Sequence, residues 1–305
     1  MQETTNQQIS SALISDLLKE KRADRRWRNI RFILWFALIA YITLAMLSHF
    51  SSSLPTTGLG GKYVSLIRLD GMIAPGNDFS SSELVPILHD AFSDKNAAGV
   101  VLDINSPGGT PVQAAIIHDA ILAYKKEYHK KVIIVGEDML TSGAYYVAVA
   151  GDQIYVNPNT ITGSIGVIVK SFGFTDIIKK LGVTRRVYTA GTNKDRLDPF
   201  LPETPEDIQK IKSVIAEVHK NFEQAVLAGR KGKLRGDPSK LFTGDFWSGE
   251  TALTLGLVDH LGNLMDATKK EFDTTEYKEY GGSNNIFRLL SGQLSSAFDS
   301  MLYWA

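Results

Sequence analysis

Hydrophobic residues along this chain form one long block near the start. After it come short β-branched runs that alternate with stretches of three- and four-residue period. Residues 32–47 are almost wholly apolar, and 30–50 is just long enough to cross a bilayer of about 30 Å. From residue 62 the pattern changes. Residues 63–69 alternate as a half-buried strand does, whereas 99–104 and 132–135 are the β-branched runs of buried parallel strands. Helices are predicted over 83–92 and 111–128, further strands over 153–156, 165–169 and 185–189, and a short helix around 175–181. The clearest helix is 205–228, where Ile208, Ile211, Val214, Ile215, Val218, Phe222, Ala225 and Val226 recur at helical spacing. Thr204 suits its N-cap, Pro205 its first position, and Glu206 and Asp207 the positive end of its dipole. A shorter helix is predicted over 248–255. The pattern is α/β, with repeated strand-helix units preceded by one transmembrane helix.

Charge sharpens the reading of the apolar block. Lys19, Lys21, Arg22, Arg25, Arg26, Arg28 and Arg31 crowd ahead of a stretch without Lys, Arg, Asp or Glu that runs to Lys62. A basic flank stays in the cytoplasm, which predicts an anchor over 29–50, a cytoplasmic tail over 1–28 and everything later outside the cytoplasm. A cleaved signal peptide would need a small-x-small site that does not follow cleanly, and a core helix would need polar positions on one face. Residues 51–61 read as a linker, 62–270 as one folded domain and 271–305 as a C-terminal tail with a weakly amphipathic stretch over 286–304. Lys plus Arg and Asp plus Glu each number 33, so no global basic field recruits nucleic acid. Cysteine is absent, which removes disulfides, cysteine nucleophiles and thiolate metal sites. No two histidines stand at ligand spacing and no His-Glu-x-x-His occurs, so neither a metal nor a cofactor is expected.

Three Gly-containing turns carry the candidate chemistry. Ser106-Pro107-Gly108-Gly109 follows a buried strand and precedes a helix, where backbone N–H groups converge on an anion or oxyanion. A Walker-type phosphate loop would need Gly-Lys-Ser or Gly-Lys-Thr where Thr110-Pro111 stands. Thr141-Ser142-Gly143-Ala144 opens a short apolar stretch whose small residues let a substrate backbone approach the Ser142 hydroxyl. Ala190-Gly191-Thr192-Asn193-Lys194-Asp195 offers a lysine. A nucleophile, a base and N–H donors are the parts of an acyl-transfer enzyme. Each also has a plainer reading: an N-cap serine opening a core helix, a Pro-Gly turn, and a solvated lysine beside Asp195 and Arg196. A lysine serves as a base near neutrality only where burial with few compensating carboxylates lowers its proton affinity. A histidine base fits less well. His89, His118, His129 and His219 lie on or beside predicted helices among charged neighbours, as solvated histidines do; neither they nor His260 sit in a Gly-containing turn, and no Gly-x-Ser-x-Gly elbow is present.

The order and spacing of further motifs add to this. Ser106-Pro107-Gly108-Gly109, Thr141-Ser142-Gly143-Ala144-Tyr145-Tyr146, Thr162-Gly163-Ser164-Ile165-Gly166-Val167 and Gly191-Thr192-Asn193-Lys194-Asp195 are followed by Phe246-Trp247-Ser248-Gly249 and Leu257-Val258-Asp259-His260-Leu261-Gly262. Over about residues 62–262 the set resembles the signal peptide peptidase SppA family of bacterial serine proteases, peptidase family S49. That resemblance implies Ser142 as nucleophile, Lys194 as general base, the Gly109 N–H in the oxyanion hole, and Ser164 hydrogen-bonded to the lysine to orient it. Ala144 stands where a second glycine is common and Asn193 where histidine is frequent, and neither departure removes a reacting group. The implied fold is that of the Clp protease and crotonase superfamily, in a single copy where long members carry two. The resemblance also implies a homo-oligomeric ring above a bacterial inner membrane, with serine and lysine drawn from neighbouring subunits. The expected substrates are apolar peptides such as signal peptide remnants, held extended along the site. An SohB-like or quality-control protease acting on specific membrane proteins would use the same chemistry on other substrates. A crotonase-like acyl-CoA enzyme conflicts with an extracytoplasmic domain, since CoA is cytoplasmic, and a non-catalytic scaffold would keep only the fold.

Overall fold

The computed structural model describes residues 27, 30–43 and 62–281. The chain divides into two compact units, Met1–Leu59 and Gly60–Ala305. In the first, residues 30–43 form an exposed helix near whose end the Thr43 hydroxyl donates to the carbonyls of Ile39 and Ala40, each at 2.9 Å. Among the described residues no helix is long and apolar enough to cross a membrane. The rest of the predicted 30–50 span, and the amphipathic stretch over 286–304, lie outside the described residues.

The second unit is built on an eight-stranded mixed sheet. Its strands are β1 (Tyr63–Asp70), β2 (Ala97–Ser106), β3 (Val132–Thr141), β4 (Gln153–Val156), β5 (Ile161–Gly163), β6 (Phe246–Ser248), β7 (His260–Leu261) and β8 (Tyr277–Tyr280). The order is β6-β5-β3-β2-β1-β8, with β4 and then β7 branching from β3, and every pair is parallel except β5 with β6. The helices are α1 (Ser81–Ser93), α2 (Pro111–Tyr128), α3 (Gly143–Ala148), α4 (Thr175–Lys180), α5 (Pro205–Gly229), α6 (Pro238–Leu241), α7 (Gly249–Thr254) and α8 (Leu264–Phe272). One face of the sheet packs on α1, α2 and α3; on the other, Val64, Leu66, Val101, Ile133, Val135 and Tyr155 meet Ala267 and Phe272 of α8. With both faces covered, β2 and β3 read as continuous apolar runs.

β3 does not run evenly. Ile104 pairs with Gly136 but Ser106 pairs with Leu140, so β3 carries two more residues than β2 across this step. On its other side β3 pairs with β4 as far as Gly136 and with β5 from Met139 onward. The bulge at Glu137 and Asp138 thus re-aims the strand toward Ser142. Two side chains fix it: Asn105 Oδ1 accepts from Met139 N at 3.2 Å, and the Thr160 hydroxyl donates to the Glu137 carbonyl at 2.5 Å.

Two predicted strands, 165–169 and 185–189, do not form. Residues 164–204 leave the sheet and contain only α4, which buries no residue. Ile165 is buried and Val167 half-buried, but Ile168, Val169, Val187 and Thr189 stay exposed, so most of the pattern that suggests buried strands has another cause. The sheet also continues past residue 270, where the sequence reading ends the domain. β8 pairs with β1, and Asp94 accepts from the hydroxyls of Tyr63 and Tyr280 beside Lys278. The predicted long helix forms with a capping box between Thr204 and Asp207, but only Phe222, Ala225 and Val226 are buried. Ile208 and Val214, on its N-terminal half, remain exposed.

A buried ion pair ties α5 to the segment before β7. The Arg230 side chain is 1% exposed and meets Asp259 through two bonds, Nη1 to Oδ2 at 2.7 Å and Nη2 to Oδ1 at 3.1 Å. Its Nε and Nη2 also donate to the Gly256 carbonyl. Burial alone would raise the Asp259 pKa, but the bonds from Arg230 hold it below the usual carboxylate range. Replacing Arg230 with Ala leaves this carboxylate only the Ile154 amide and the more exposed Lys233, and should cost roughly 3 kcal/mol in urea unfolding. Lys233→Ala, which removes a more exposed partner of Asp259, should cost under about 1 kcal/mol in the same measurement.

Candidate active site

β2 and β3 end side by side, and the turns that follow them meet. Gly108 has φ +95°, and a Cβ there would lie 2.6 Å from Gly143 N and 2.7 Å from Ser142 Cβ. No side chain fits that approach. The buried Ser106 Oγ accepts from Gly108 N at 3.1 Å and fixes the turn from within. Gly109 is held from the opposite side by Ile73, whose N donates to the Gly108 carbonyl at 2.9 Å and whose carbonyl accepts from Thr110 N at 2.8 Å. A Cβ on Gly109 would fall 1.9 Å from the Ile73 oxygen, so this position also excludes a side chain.

Ser142 sits at φ 52°, ψ −124°, a conformation that costs a non-glycine residue about 1–3 kcal/mol. Its surroundings over-determine it. The Ser142 N donates to the Gly163 carbonyl at 2.8 Å, the Ser142 carbonyl accepts from Tyr146 N at 3.0 Å, and α3 behind it is buried at every residue but Tyr146. Although Ser142 occupies the N-cap position, its side chain makes no capping hydrogen bond. The plainer reading, an N-cap serine serving a core helix, therefore does not describe this hydroxyl. A Cβ on Gly143 would lie 3.1 Å from Gly109 N, so the two backbone amides are neighbours. Among the described residues, neither the Gly109 N–H nor the Gly143 N–H donates to a protein acceptor. A hydroxyl on a strained turn beside two unused N–H groups is suited to attack a carbonyl and hold the oxyanion that results.

Ser164 follows the Gly163 that anchors Ser142, and is itself at φ 53° with its N donating to the Asp245 carbonyl at 2.7 Å. The next carbonyl, Ile165 O, accepts from Gly244 N at 3.0 Å and lies 3.2 Å from His219 Nε2. Ser142, Gly109 and Ser164 are thus joined through backbone contacts. Lys194 is not part of this group. It is exposed, on a turn where its N donates to the Gly191 carbonyl at 3.2 Å, and it lines a shallow depression of about 390 Å³ with Arg185, Val187 and Phe200.

Several groups escape the sequence reading. The Gly143 N–H is one, although it directly follows the candidate nucleophile. Ile73 is another, because only the fold brings its carbonyl to Gly109. His118 is not a solvated residue: its side chain is 9% exposed and its ring stands edge-on to Tyr146 at 5.2 Å, with Phe222 of α5 at 5.0 Å from the same tyrosine. The signal for it was present, since Ala114, Ile117 and Ile121 place His118 beside the buried stripe of α2.

The peptidase family S49 model matches residues 124–278, just over half of the chain. A Na(+)/H(+) antiporter NhaA of Brucella melitensis is 46% identical over 214 residues, covering 68% of this chain and 29% of the relative. The "Putative signal peptide peptidase SppA" of Enterococcus faecium is 28% identical, covering 72% of this chain and 66% of the relative. Protease 4 of Salmonella typhi is 30% identical, covering 77% and 38% respectively. The chain therefore spans under a third of the antiporter relative's length. The family match runs through α3, the Ser164 turn, the Lys194 turn and the strands that follow them. The chain belongs to peptidase family S49.

Proposed function

We propose that this chain is a membrane-anchored serine endopeptidase in which Ser142 is the nucleophile, Lys194 the general base, and the N–H groups of Gly109 and Gly143 the oxyanion hole. The observation that carries the reading is Ser142 itself: a strained hydroxyl, released from capping, against two free amides. In this mechanism Ser142 Oγ bonds to the scissile carbonyl carbon while its proton passes to the neutral Lys194 amine. The carbonyl oxygen gains the charge between the two N–H groups. The lysine then gives the proton to the departing amine as the C–N bond breaks, and water releases the acyl group by the same steps in reverse roles. Ser164, beside the Ser142 anchor, orients the lysine.

Lys194 reaches this site by assembly. Residues 164–204 expose Ile168, Phe172, Leu181, Val183, Val187 and Tyr188, and the adjoining half of α5 leaves Ile208 and Val214 uncovered. Such a surface favours contact with another copy, and closing it would bury the lysine as a base requires. A homo-oligomeric ring on the outer face of the inner membrane follows, with the Clp protease and crotonase architecture as its subunit. Apolar peptides are the substrates, signal peptide remnants the simplest of them.

Ser142→Ala and Lys194→Ala should each lower peptidase activity by about 10⁴-fold or more. When the two inactive proteins are mixed under subunit exchange, roughly a quarter of the sites should regain both groups, because each site draws on two neighbours. No recovery despite demonstrated exchange would overturn the sharing. Gly108→Ala should lower kcat by about 10²-fold with the fold retained, since its Cβ pushes Gly143 N and Ser142 out of register with Gly109. Circular dichroism and kcat measured on one sample check this.

A further inference from the structure

β2 and β3 carry, just ahead of their reactive turns, a pair of carboxyl groups that the mechanism above does not use. Asp103 lies opposite Arg68 of β1 and Val135 of β3, with its side chain 2% exposed. Its Oδ2 accepts from Arg68 Nη1 at 2.6 Å. Its Oδ1 is buried and receives no donor. Glu137, the first residue of the bulge, lies two residues beyond the Val135 that pairs with Asp103 and so on the same face of β3, which makes its carboxyl the diagonal neighbour of Asp103. Two carboxylates only accept, so they can bond to each other only when one carries a proton.

We propose that Asp103 and Glu137 share one proton across the β2–β3 pair, with Arg68 balancing the remaining charge, and that this proton holds the bulge that aims Ser142 at Gly109. The positioning half of the inference rests on the reading of Ser142 and Gly109 as reacting groups. The mechanical link is short: Asn105, two residues after Asp103, binds Met139 N, two residues after Glu137. Beyond it the two strands deliver Gly109 and Ser142. Loss of the proton places two carboxylates against one guanidinium at the step where β2 and β3 change register.

Burial, and then the Glu137 charge, push the Asp103 carboxyl up to about 7 against the pull of Arg68. Asp70 of β1 adds to the rise, and Arg68 is shared with Glu279 and Tyr277 of β8. The charged groups of α8, which covers this face, are engaged elsewhere. Glu271 meets Lys131 and Tyr155, Asp266 caps its own helix, Lys269 meets Asp273 and Lys270 reaches His260. Glu137 is exposed, so the proton exchanges with solvent.

The ordinary aspartate value is 3.8, so between about pH 4 and 7 the folded protein keeps a proton that the unfolded chain has released. The stability this proton contributes is complete below that window and is lost as pH rises through it. His260, which burial and then Lys270 push down, acts in the opposite sense, so the quantity to read is the difference between wild type and variant. Thermal unfolding of the full chain is compared from pH 5 to 8 with that of Glu137→Gln, whose amide donates to Asp103 at every pH. The variant should gain on wild type by about 5 °C across this range. Asp103→Asn, which mimics the protonated pair, should show the same trend. A difference that stays flat with pH in both variants overturns the shared proton. Positioning is read separately, from the rate at which a fluorophosphonate labels Ser142. The Glu137→Gln rate relative to wild type should rise about threefold or more from pH 6 to 8.5, and a constant ratio overturns the positioning role. Labelling that survives Ser142→Ala overturns the Ser142 reading and the positioning with it, while the thermal comparison still decides the proton.

Discussion

The site depends on one close approach, that of the Gly108 backbone to Ser142 and Gly143. A methyl group at Gly108 would overlap the amide of Gly143, so the two turns can meet only where one strand ends in glycine and the other in a residue held at positive φ. That contact brings the Gly109 amide beside Gly143, and among the described residues neither N–H donates to a protein acceptor. It also explains the strain at Ser142. A relaxed serine would cap α3, and the hydroxyl would then be spent on the helix it precedes.

The sheet maintains this approach from behind. The segment after β1 holds Gly109 through Ile73, β5 holds Ser142 through Gly163, and the bulge in β3 sets the direction from which Ser142 arrives. Buried polar groups stabilise the same region without entering the chemistry. Ser106 fixes the Gly108 turn, Thr160 and Asn105 pin the bulge, and Tyr145 of α3 donates to the Leu257 carbonyl near the Arg230–Asp259 pair. In the proposed function this rigid frame supplies the nucleophile and the oxyanion hole, whereas the base comes from the most exposed part of the unit. A frame complete in one copy beside a lysine that needs covering is a physical reason for activity to follow assembly.

Much of this was legible in the chain. The strand predicted over 63–69 declares itself through alternation, those over 99–104 and 132–135 through short β-branched runs because both faces are covered, and the long helix through its cap and spacing. The turns at Gly108 and Ser142 are visible as motifs, since small residues mark places where backbones approach. What the sequence does not carry is pairing. Nothing in Met72 or Ile73 announces that this backbone will hold Gly109, and nothing in Asp103 announces that its partner lies on the next strand. The failure at 165–169 and 185–189 has a different origin. Ile168, Val169 and Val187 look like core residues because they are apolar, but they are exposed in a single copy. Apolar pattern alone does not say whether a side chain enters the core of its own sheet.

The most direct test of the account is the crystal structure of the full chain after reaction with a peptidyl fluorophosphonate. The account predicts phosphorus bonded to Ser142 Oγ, with its oxygen about 2.7–3.1 Å from the amides of both Gly109 and Gly143. An adduct on any other residue, or a phosphoryl oxygen turned away from Gly109, would contradict it.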